Sequence, residues 1–342
     1  MATIKELKEL ALHSARGTAP AEYSASNVDE ALHGELAQMC SSINNFMRNR
    51  FDIYDIIIET ADEVVPTKVI DVMGAFAEIK SVPQGQKAIF KRGLVGRNRA
   101  KKFLTQVGLS GLYETFRLDN ETFELGGKAI GGAAAIDFER FLDGAENMAD
   151  LMDIITEGLT DAVFGEVQKA LIAASTDMPA ANKHSHGGFS AKDMVRIVNT
   201  VKSYGGSAVI FATPEFIGEM GPDAIGVDTY SKDDIDSIHN TGLIKIFRGT
   251  PIVEIPQSYT DETNTKYQIN PQNAYILPAG KEKVVKVVFE GSTQVYDLKN
   301  PDNSMEIHTY KKVGTAILTH HNWGVYQNTS LTTPYEESPY GV

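Results

Sequence analysis

The stretch from Asp143 to about Ser175 constrains the fold more than any other, because it has the periodicity of one long amphipathic helix. Its apolar residues recur at intervals of three and four, which places them on one face of a 3.6-residue period. They are Met148, Leu151, Met152, Ile155, Leu159, Ala162, Val163, Val167, Ala170, Leu171 and Ala174. At 1.5 Å per residue, roughly 30 residues span about 45 Å, well beyond the average globular helix. A body of comparable length must therefore pack against this helix.

Local chemistry predicts both ends of this helix. Asp143 can accept from the free N–H groups of the first turn, Glu146 occupies the capping-box position, and Pro179 ends the helix. Gly158 and Gly165 each cost about 1 kcal/mol relative to alanine in a helix interior, and they lie on one side of the helix. We therefore expect another backbone to approach the helix closely at these two glycines.

Composition excludes several classes of protein. The chain of 342 residues is 42% hydrophobic, which is enough for a large core and two or three lobes. Its single cysteine, Cys40, excludes a disulfide framework and a cysteine-based metal cluster. The first ten residues are charged and helical in pattern, and no apolar run approaches a membrane span. The sequence therefore indicates neither secretion nor a membrane.

The N-terminal third is predicted to contain an arm, two strands and a long hairpin. Residues 1–50 hold two short helical patterns, too few for an independent domain, so we interpret them as an arm that packs on something else. Residues 51–59 (FDIYDIIIE) and 69–80 have strand character. Residues 81–124 form a two-stranded hairpin with a glycine-rich, basic tip, and residues 126–138 return the chain to the body.

The rest of the chain is predicted as a mixed α/β segment followed mostly by strands. A loop is expected at residues 184–188. Ser190 and Asp193 cap a helix that ends at residues 205–206, and PEFIGEM forms a short helix with proline in first position. The predicted strands are SAVIFAT, then LIKIF and PIVEI on either side of residues 248–249, and finally NAYIL, KVVKVVF, GTAILT and WGVYQ.

Charge is unevenly placed along the chain. The basic segment, residues 87–102, carries seven cations and no acid, which leaves a net −20 on the rest of a chain whose total is −13. The cations are Lys87, Lys91, Arg92, Arg97, Arg99, Lys101 and Lys102. Between residues 119 and 166, twelve carboxylates stand against two cations, a net −10. The two regions are therefore electrostatically complementary.

Three interpretations of the basic segment remain open. It could bind nucleic acid, although the acidic body opposes phosphate binding, or it could be a merely solvated loop. We favour a third interpretation, in which the hairpin crosses onto the acidic surface of a neighbouring copy, because the complementary charge is present on every copy. The candidate carboxylates of that neighbour are Asp143, Glu146, Asp150, Asp153 and Glu157.

The search for an active site yields no candidate. His184 and His186 could share a metal in an extended segment, but no third ligand is signalled nearby, so we interpret them as part of a solvated loop. His320 and His321 precede a strand and are expected to be structural. The chain lacks a phosphate loop, a nucleophile elbow and a base beside Cys40. We therefore predict no catalytic residue, no metal and no cofactor, with a metal-dependent α/β enzyme using the histidine pair as a remote alternative.

The order of these elements resembles the Hong Kong 97-type fold of tailed-bacteriophage major capsid proteins, an α+β architecture. AFAEIKSVPQGQKAIFKR and GLYETFRLDNETFELGGKA resemble the limbs of that family's extended loop. ENMADLMDIITEGLTDAVFGEVQKALIAA resembles its spine helix, and FSAKDMVRIVNTVKSYGGSAVIFATPEFIGEM its axial domain. KYQINPQNAYILPAGKEKVVKVVFEG and GTAILTHHNWGVYQN resemble the strands that return to the peripheral domain.

The resemblance implies a division of the chain into seven segments. These are an N-terminal arm (1–50), a first part of the peripheral domain (51–80), the extended loop (81–125), the peripheral domain with spine helix 144–175 (126–185), a first part of the axial domain (186–255), axial-to-peripheral strands (256–300), and the end of the peripheral domain with the C-terminal tail (301–342).

The resemblance also implies a function without catalysis. The chain would assemble through pentamers and hexamers into an icosahedral head shell that encloses double-stranded DNA without sequence-specific binding. Portal, scaffolding or decoration proteins would be further partners, and the shell would be assembled in the bacterial host cytoplasm and found in the virion. The alternative within the same fold is an encapsulin-like bacterial compartment that holds cargo enzymes.

Overall fold

The computed structural model describes residues 4–16, 18, 25–74, 77–92, 121–136, 148–176, 178–220, 246–255, 257–279, 283–299, 305–318 and 323–335. Within these residues the helices are α1 (Ile4–Ala15), α2 (Ala25–Met39), α3 (Ile43–Met73), α4 (Met148–Thr176), α5 (Ala191–Gly205) and α6 (Pro214–Met220), with a short 3-10 turn at Ala180–Asn182. The long helix predicted from the sequence is α4. Its predicted cap at Asp143 and Glu146 lies outside the described residues.

The described strands form three sheets. Their bounds are β1 (Ala77–Val82), β2 (Ala88–Arg92), β3 (Glu121–Leu125), β4 (Lys128–Ile136), β5 (Lys183–His186), β6 (Ala208–Ala212), β7 (Ile246–Phe247), β8 (Thr250–Glu254), β9 (Asn273–Pro278), β10 (Val285–Lys299), β11 (Met305–Ile317) and β12 (Gly324–Asn328). A four-stranded sheet has the order β1-β10-β11-β4, a six-stranded sheet has the order β5-β12-β9-β6-β8-β7, and β2 pairs with β3.

Helix α3 corrects the prediction of strands at residues 51–59 and 69–80. The isoleucine run at residues 56–58 favours a strand locally, but the buried side chains recur at helical spacing over the whole segment. They include Phe46, Ile53, Ile57, Ala61, Val65, Val69 and Met73. The Ser42 hydroxyl accepts from the Asn45 N–H at 3.1 Å at one end, and Gly74 donates to the Ile70 carbonyl at 2.7 Å at the other. Of residues 69–80, the last four are extended, as the start of β1.

The N-terminal arm packs on its own chain. Leu7 of α1 and Leu36 of α2 lie in one cluster with residues of α3, with Met152 of α4 and with Ile307 of β11. Ion pairs join Lys8 to Glu59 and Arg16 to Glu63, both at 2.6 Å, and align α1 along α3. The predicted arm is thus received by α3 together with α4 and β11, and α3 runs across the predicted boundary at residue 50.

One core connects the two long helices with both large sheets. The buried faces of α3 and α4 share a cluster with β10, β11, β9 and β12, in which Val65, Val163, Val287, Tyr275 and Trp323 are members. Helix α3, with 31 residues, packs beside α4. It is therefore the partner of similar length that the sequence of α4 requires.

A second core lies between the six-stranded sheet and helices α5 and α6. It contains Ile197 and Val201 of α5, Phe216 of α6, and Ile210 and Ile276 of the sheet. The predicted ends of α5 are confirmed, because the Ser190 side chain accepts from the Asp193 N–H and Gly206 ends the helix with φ 82°. The predicted strand, helix and hairpin at residues 208–254 are likewise present wherever they fall within the described residues.

Candidate assembly surfaces

The predicted hairpin is present at its base. Strands β2 and β3 pair antiparallel, from Ala88 opposite Leu125 to Arg92 opposite Glu121. We call residues 85–92 and 121–127 the hairpin root. Of the seven predicted cations, three lie in the root, namely Lys87, Lys91 and Arg92. Residues 93–120, with Arg97, Arg99, Lys101 and Lys102, lie outside the described residues.

The fold brings carboxylates back to the start of the basic segment. Lys87 Nζ lies 3.4 Å from a carboxylate oxygen of Glu124, and both side chains are exposed. The backbone register also places Glu121 opposite Arg92. An exposed ion pair of this kind contributes little to stability, but it reduces the net charge of the root. In the sequence, no carboxylate lies beside the four cations of the basic segment beyond Arg92, namely Arg97, Arg99, Lys101 and Lys102.

An aromatic pair fixes the hairpin to the body. Phe90 of β2 is fully buried against Val288 of β10, and its ring centroid lies 5.6 Å from that of Phe123 on β3. Lys80 Nζ stands 4.2 Å from the centroid of the Phe90 ring and donates to the carbonyl of Ile89 at 3.0 Å. Both strands of the hairpin are thus held against the four-stranded sheet.

A single carboxylate joins the two ends of the hairpin root. Glu290 Oε1 accepts from the Gly85 N–H at 3.0 Å, and Oε2 accepts from the Gly127 N–H at 3.0 Å. Lys312 Nζ lies 3.3 Å from Oε1. The N–H groups of Gly127 and Gly85, followed by Lys312, lower the pKa of Glu290 below its ordinary value. The side chain is therefore an anion at neutral pH, and sequence reasoning missed it because its partners are far apart along the chain.

Of the five carboxylates predicted to contact a neighbouring copy, three lie within the described residues. Asp143 and Glu146 lie outside the described residues, and Asp150 lies in the first turn of α4. Asp153 and Glu157 are exposed on α4, one turn apart. Two of the five predicted carboxylates are thus shown to be accessible on one face of this helix.

An apolar groove of about 240 Å³ runs beside these carboxylates. Its walls are β4, at residues 130–133, and α4, at Ile154, Ile155, Gly158 and Leu159. Ile154 is 65% exposed, which is high for a large apolar side chain. The glycine and alanine run of β4 could have signalled a shallow wall, but nothing in the sequence indicated that it would face α4.

The expectation of a close backbone approach at Gly158 is wrong within the chain. A Cβ atom added at Gly158 would meet nothing within 4 Å, and the residue is exposed in the groove. Gly165, two turns later, is buried. Another backbone was expected to approach α4 at both glycines, but the packing of α4 buries only Gly165.

The histidine pair lies in a strand, which corrects the predicted loop for residues 184–186 and leaves only residues 187–188 outside the strand. Residues 183–186 pair in parallel with β12. The His184 ring lies 5.2 Å from the Tyr326 ring, and its Nε2 atom lies 3.4 Å from Asp193 Oδ2. Within the described ranges, no three His, Cys, Asp or Glu side chains are arranged to hold a metal ion. The contacts of His184 are therefore those of a packed side chain, and His320 and His321 lie outside the described residues.

Two further features concern chemistry and membranes. Cys40 is buried in the cluster between the arm and α3, and burial raises the pKa of its thiol to about 12. The described helices include none that is both long enough and apolar enough to span a bilayer.

Comparison with known proteins agrees with this architecture. A model of the family described as "SPbeta prophage-derived putative capsid protein YonB" matches residues 19–327. None of the curated proteins matches the chain. The capsid structure of the cyanophage P-SCSP1u is similar with a TM-score of 0.51 and 10% sequence identity, over 75% of this chain and 88% of that chain.

Two other solved structures show a weaker likeness. The Microbacterium phage Oxtober96 structure has a TM-score of 0.49 and 11% identity, over 75% of this chain and 90% of that chain. A virus-like particle from Pyrococcus furiosus has a TM-score of 0.46 and 12% identity, over 78% of this chain and 96% of that chain. The family model covers most of the chain and the predicted α+β architecture is confirmed, so this protein belongs to the YonB family of prophage-derived capsid proteins and has the Hong Kong 97-type fold.

Proposed function

We propose that this chain is a major capsid protein that self-assembles, as pentamers and hexamers, into the icosahedral head shell of a tailed phage. The observation that carries the proposal is the match of the capsid family model to residues 19–327. The fold supports it, because a closed shell of many copies needs modest contacts repeated over many interfaces. A hairpin held firmly at its root extends the contact surface without enlarging the body.

The net charge supports a shell around packaged double-stranded DNA. The chain carries −13 at neutral pH, so its overall field repels phosphates. A wall that bound DNA tightly through many phosphate contacts would oppose both packing and release. We infer that DNA is enclosed without sequence-specific recognition, that assembly occurs in the bacterial cytoplasm, and that portal, scaffolding or decoration proteins complete the virion.

We infer further that the basic segment of one copy lies on α4 of a neighbour. Asp153 and Glu157 carry exposed carboxylates on α4, whose charge is opposite to that of the segment's cations. The groove next to them would receive apolar residues that stand between those cations, such as Leu94 and Val95. Electrostatic complementarity would set the register of this contact, and burial of apolar surface would supply most of its affinity.

Size-exclusion chromatography followed by electron microscopy of the purified full chain tests the shell. We expect rings, sheets or closed particles. A monomer that persists at high concentration, both alone and with the scaffolding protein of the same phage, would refute the proposal. Nuclease-resistant DNA inside particles made during infection separates a phage head from the encapsulin-like alternative, which would contain cargo enzymes instead.

A charge swap tests the hairpin contact. Replacement of Lys101 and Lys102 by Glu should reduce shell yield at least tenfold and leave the subunit folded, because like charges would meet at the neighbour's α4. The matched control replaces Lys192 and Lys266 by Glu, which gives the same net charge at exposed sites elsewhere.

The reciprocal change decides whether these groups meet. Introducing Asp153→Lys and Glu157→Lys into the Lys101→Glu, Lys102→Glu chain should restore assembly. If the first double variant assembles as well as its control, or if the fourfold variant stays unassembled while folded, the assigned contact is wrong.

A further inference from the structure

We propose that Glu290 is a positioning residue for assembly, because it sets the direction in which the hairpin leaves the body. The inference rests on the proposed shell function, in which the hairpin must reach a neighbouring copy. Its basis is that one buried carboxylate holds both chain segments that connect the hairpin to the four-stranded sheet. We call the Glu290 carboxylate with the N–H groups of Gly85 and Gly127 the Glu290 clasp.

The clasp joins the outgoing and the returning end of the hairpin. Gly85 follows β1 in a tight turn closed by a hydrogen bond from the Gln86 N–H to the Pro83 carbonyl at 3.1 Å. Gly127 lies between β3 and β4. Each N–H donates to a different oxygen of the same carboxylate, at 3.0 Å in both cases. The separation and relative twist of the two ends are therefore tied to one rigid group.

Both donors are at glycines for steric reasons. Gly85 has φ +82°, a left-handed conformation that side chains rarely adopt. At Gly127 an added Cβ would lie 2.9 Å from Lys312 Cβ and 3.1 Å from its carbonyl carbon. The backbone at Gly127 is thus pressed against β11, and Glu290 reaches it from the adjacent strand β10.

The carboxylate itself is held in place from the body side. Glu290 is opposite Lys312 in the β10–β11 register and opposite Val82 in the β1–β10 register. It immediately precedes Gly291, which has φ +70°, where the register of β10 shifts. A carboxylate anchored in the centre of a sheet gives the hairpin a fixed reference, and hydrogen bonds to an ionised group are the stronger kind.

Loss of the clasp should loosen the root without unfolding the subunit. The aromatic pair of Phe90 and Phe123 would still hold the strands to the body. The two glycine N–H groups would lose their acceptor, and the hairpin could leave the body in several directions. A shell requires the same direction in every copy, so assembly should suffer more than stability.

Hydrogen exchange on the full chain with glycine-selective ¹⁵N labelling tests the clasp. In Glu290→Gln one acceptor oxygen becomes an NH2 donor that faces an N–H group. Glu290→Asp keeps both oxygens but is one methylene too short to reach both donors. We expect the amide of at least one of the two glycines, Gly85 or Gly127, to exchange about tenfold faster in each variant, and shells to become fewer or irregular in electron micrographs.

Two controls separate positioning from general stability. Glu254→Gln changes a strand carboxylate in the other sheet and should alter neither measurement. Gly324→Ala, also in the other sheet, introduces a clash with Ile197, and should lower subunit stability while leaving exchange at Gly85 and Gly127 unchanged.

The possible outcomes test separately whether the Glu290 clasp exists, whether it acts in assembly and whether the chain forms a shell. Unchanged exchange at both glycines in Glu290→Gln would overturn the clasp. Faster exchange with normal shells would overturn its role in assembly. If the unaltered chain forms no shell at all, the proposed function fails, whereas the exchange experiment on the subunit still decides whether the clasp exists.

Discussion

Substitution of Gly158 by alanine should stabilise the isolated subunit. Gly158 lies inside α4, where glycine is unfavourable because its backbone loses the most freedom on folding. An added Cβ would meet nothing within 4 Å, so no steric penalty opposes the gain. We expect the free energy of unfolding to rise by about 1 kcal/mol, the difference between glycine and alanine in a helix interior.

Urea denaturation of the subunit under conditions that prevent assembly measures this change. Gly34→Ala in α2 is the matched control, because that glycine is also exposed in a helix with nothing within 4 Å of an added Cβ. Gly131→Ala, on the opposite wall of the groove, should instead destabilise, since its Cβ would lie 2.3 Å from the Thr309 carbonyl oxygen. If Gly158→Ala destabilises the subunit, another part of the chain fills the groove and the open geometry is wrong.

A larger residue at the same position tests the role of the groove between copies. Leucine at Gly158 would occupy part of the groove of about 240 Å³. It should leave the subunit folded and reduce shell yield at least tenfold, whereas Gly34→Leu should not affect assembly. Normal shells from the Gly158→Leu chain would show that no neighbour docks there.

Three further predictions concern the interior of the subunit. Asp62→Asn should lower the free energy of unfolding by about 3 kcal/mol in urea denaturation, because the Lys311 amine, on a side chain only 2% exposed, loses the carboxylate 2.5 Å away. A second change, Lys311→Met, should recover part of that loss. A decrease below about 1 kcal/mol would contradict the pairing. Gly324→Ala should lower stability by about 2 kcal/mol, since its Cβ would lie 2.2 Å from Ile197 Cγ2, and an unchanged denaturation midpoint would show that this packing is loose. Cys40, with a pKa of about 12, should react with a thiol reagent at pH 8 only after denaturation, and rapid labelling of the native subunit would place it outside the core.

Much of the fold was predictable wherever the determining interactions are local. The cap of α5 needs only Ser190, Asp193 and the glycine after its last turn, all within one short stretch. The turn at Arg248 and Gly249, both with positive φ, joins two short strands that the sequence also indicates. These elements, in their order along the chain, were sufficient to indicate the Hong Kong 97-type fold.

Helix α3 shows where local reasoning failed. Residues 56–58 are three consecutive isoleucines, which favour a strand when a short window is considered. The helix forms because the wider spacing of its apolar residues matches α4 and β10, and that packing outweighs a modest local preference. The histidine pair at residues 184 and 186 was assigned to a loop for a similar reason, since its strand exists only through pairing with β12.

The sequence by itself determined most of the elements, the charge asymmetry and the fold family, because helix periodicity, caps, turns and charge are properties of neighbouring residues. Tertiary structure alone decided which surfaces those elements present. It left Gly158 open beside exposed Asp153 and Glu157, and it brought Glu290 to Gly85, 205 residues away along the chain. Contacts between such distant residues depend on how the whole chain packs, so no local pattern records them.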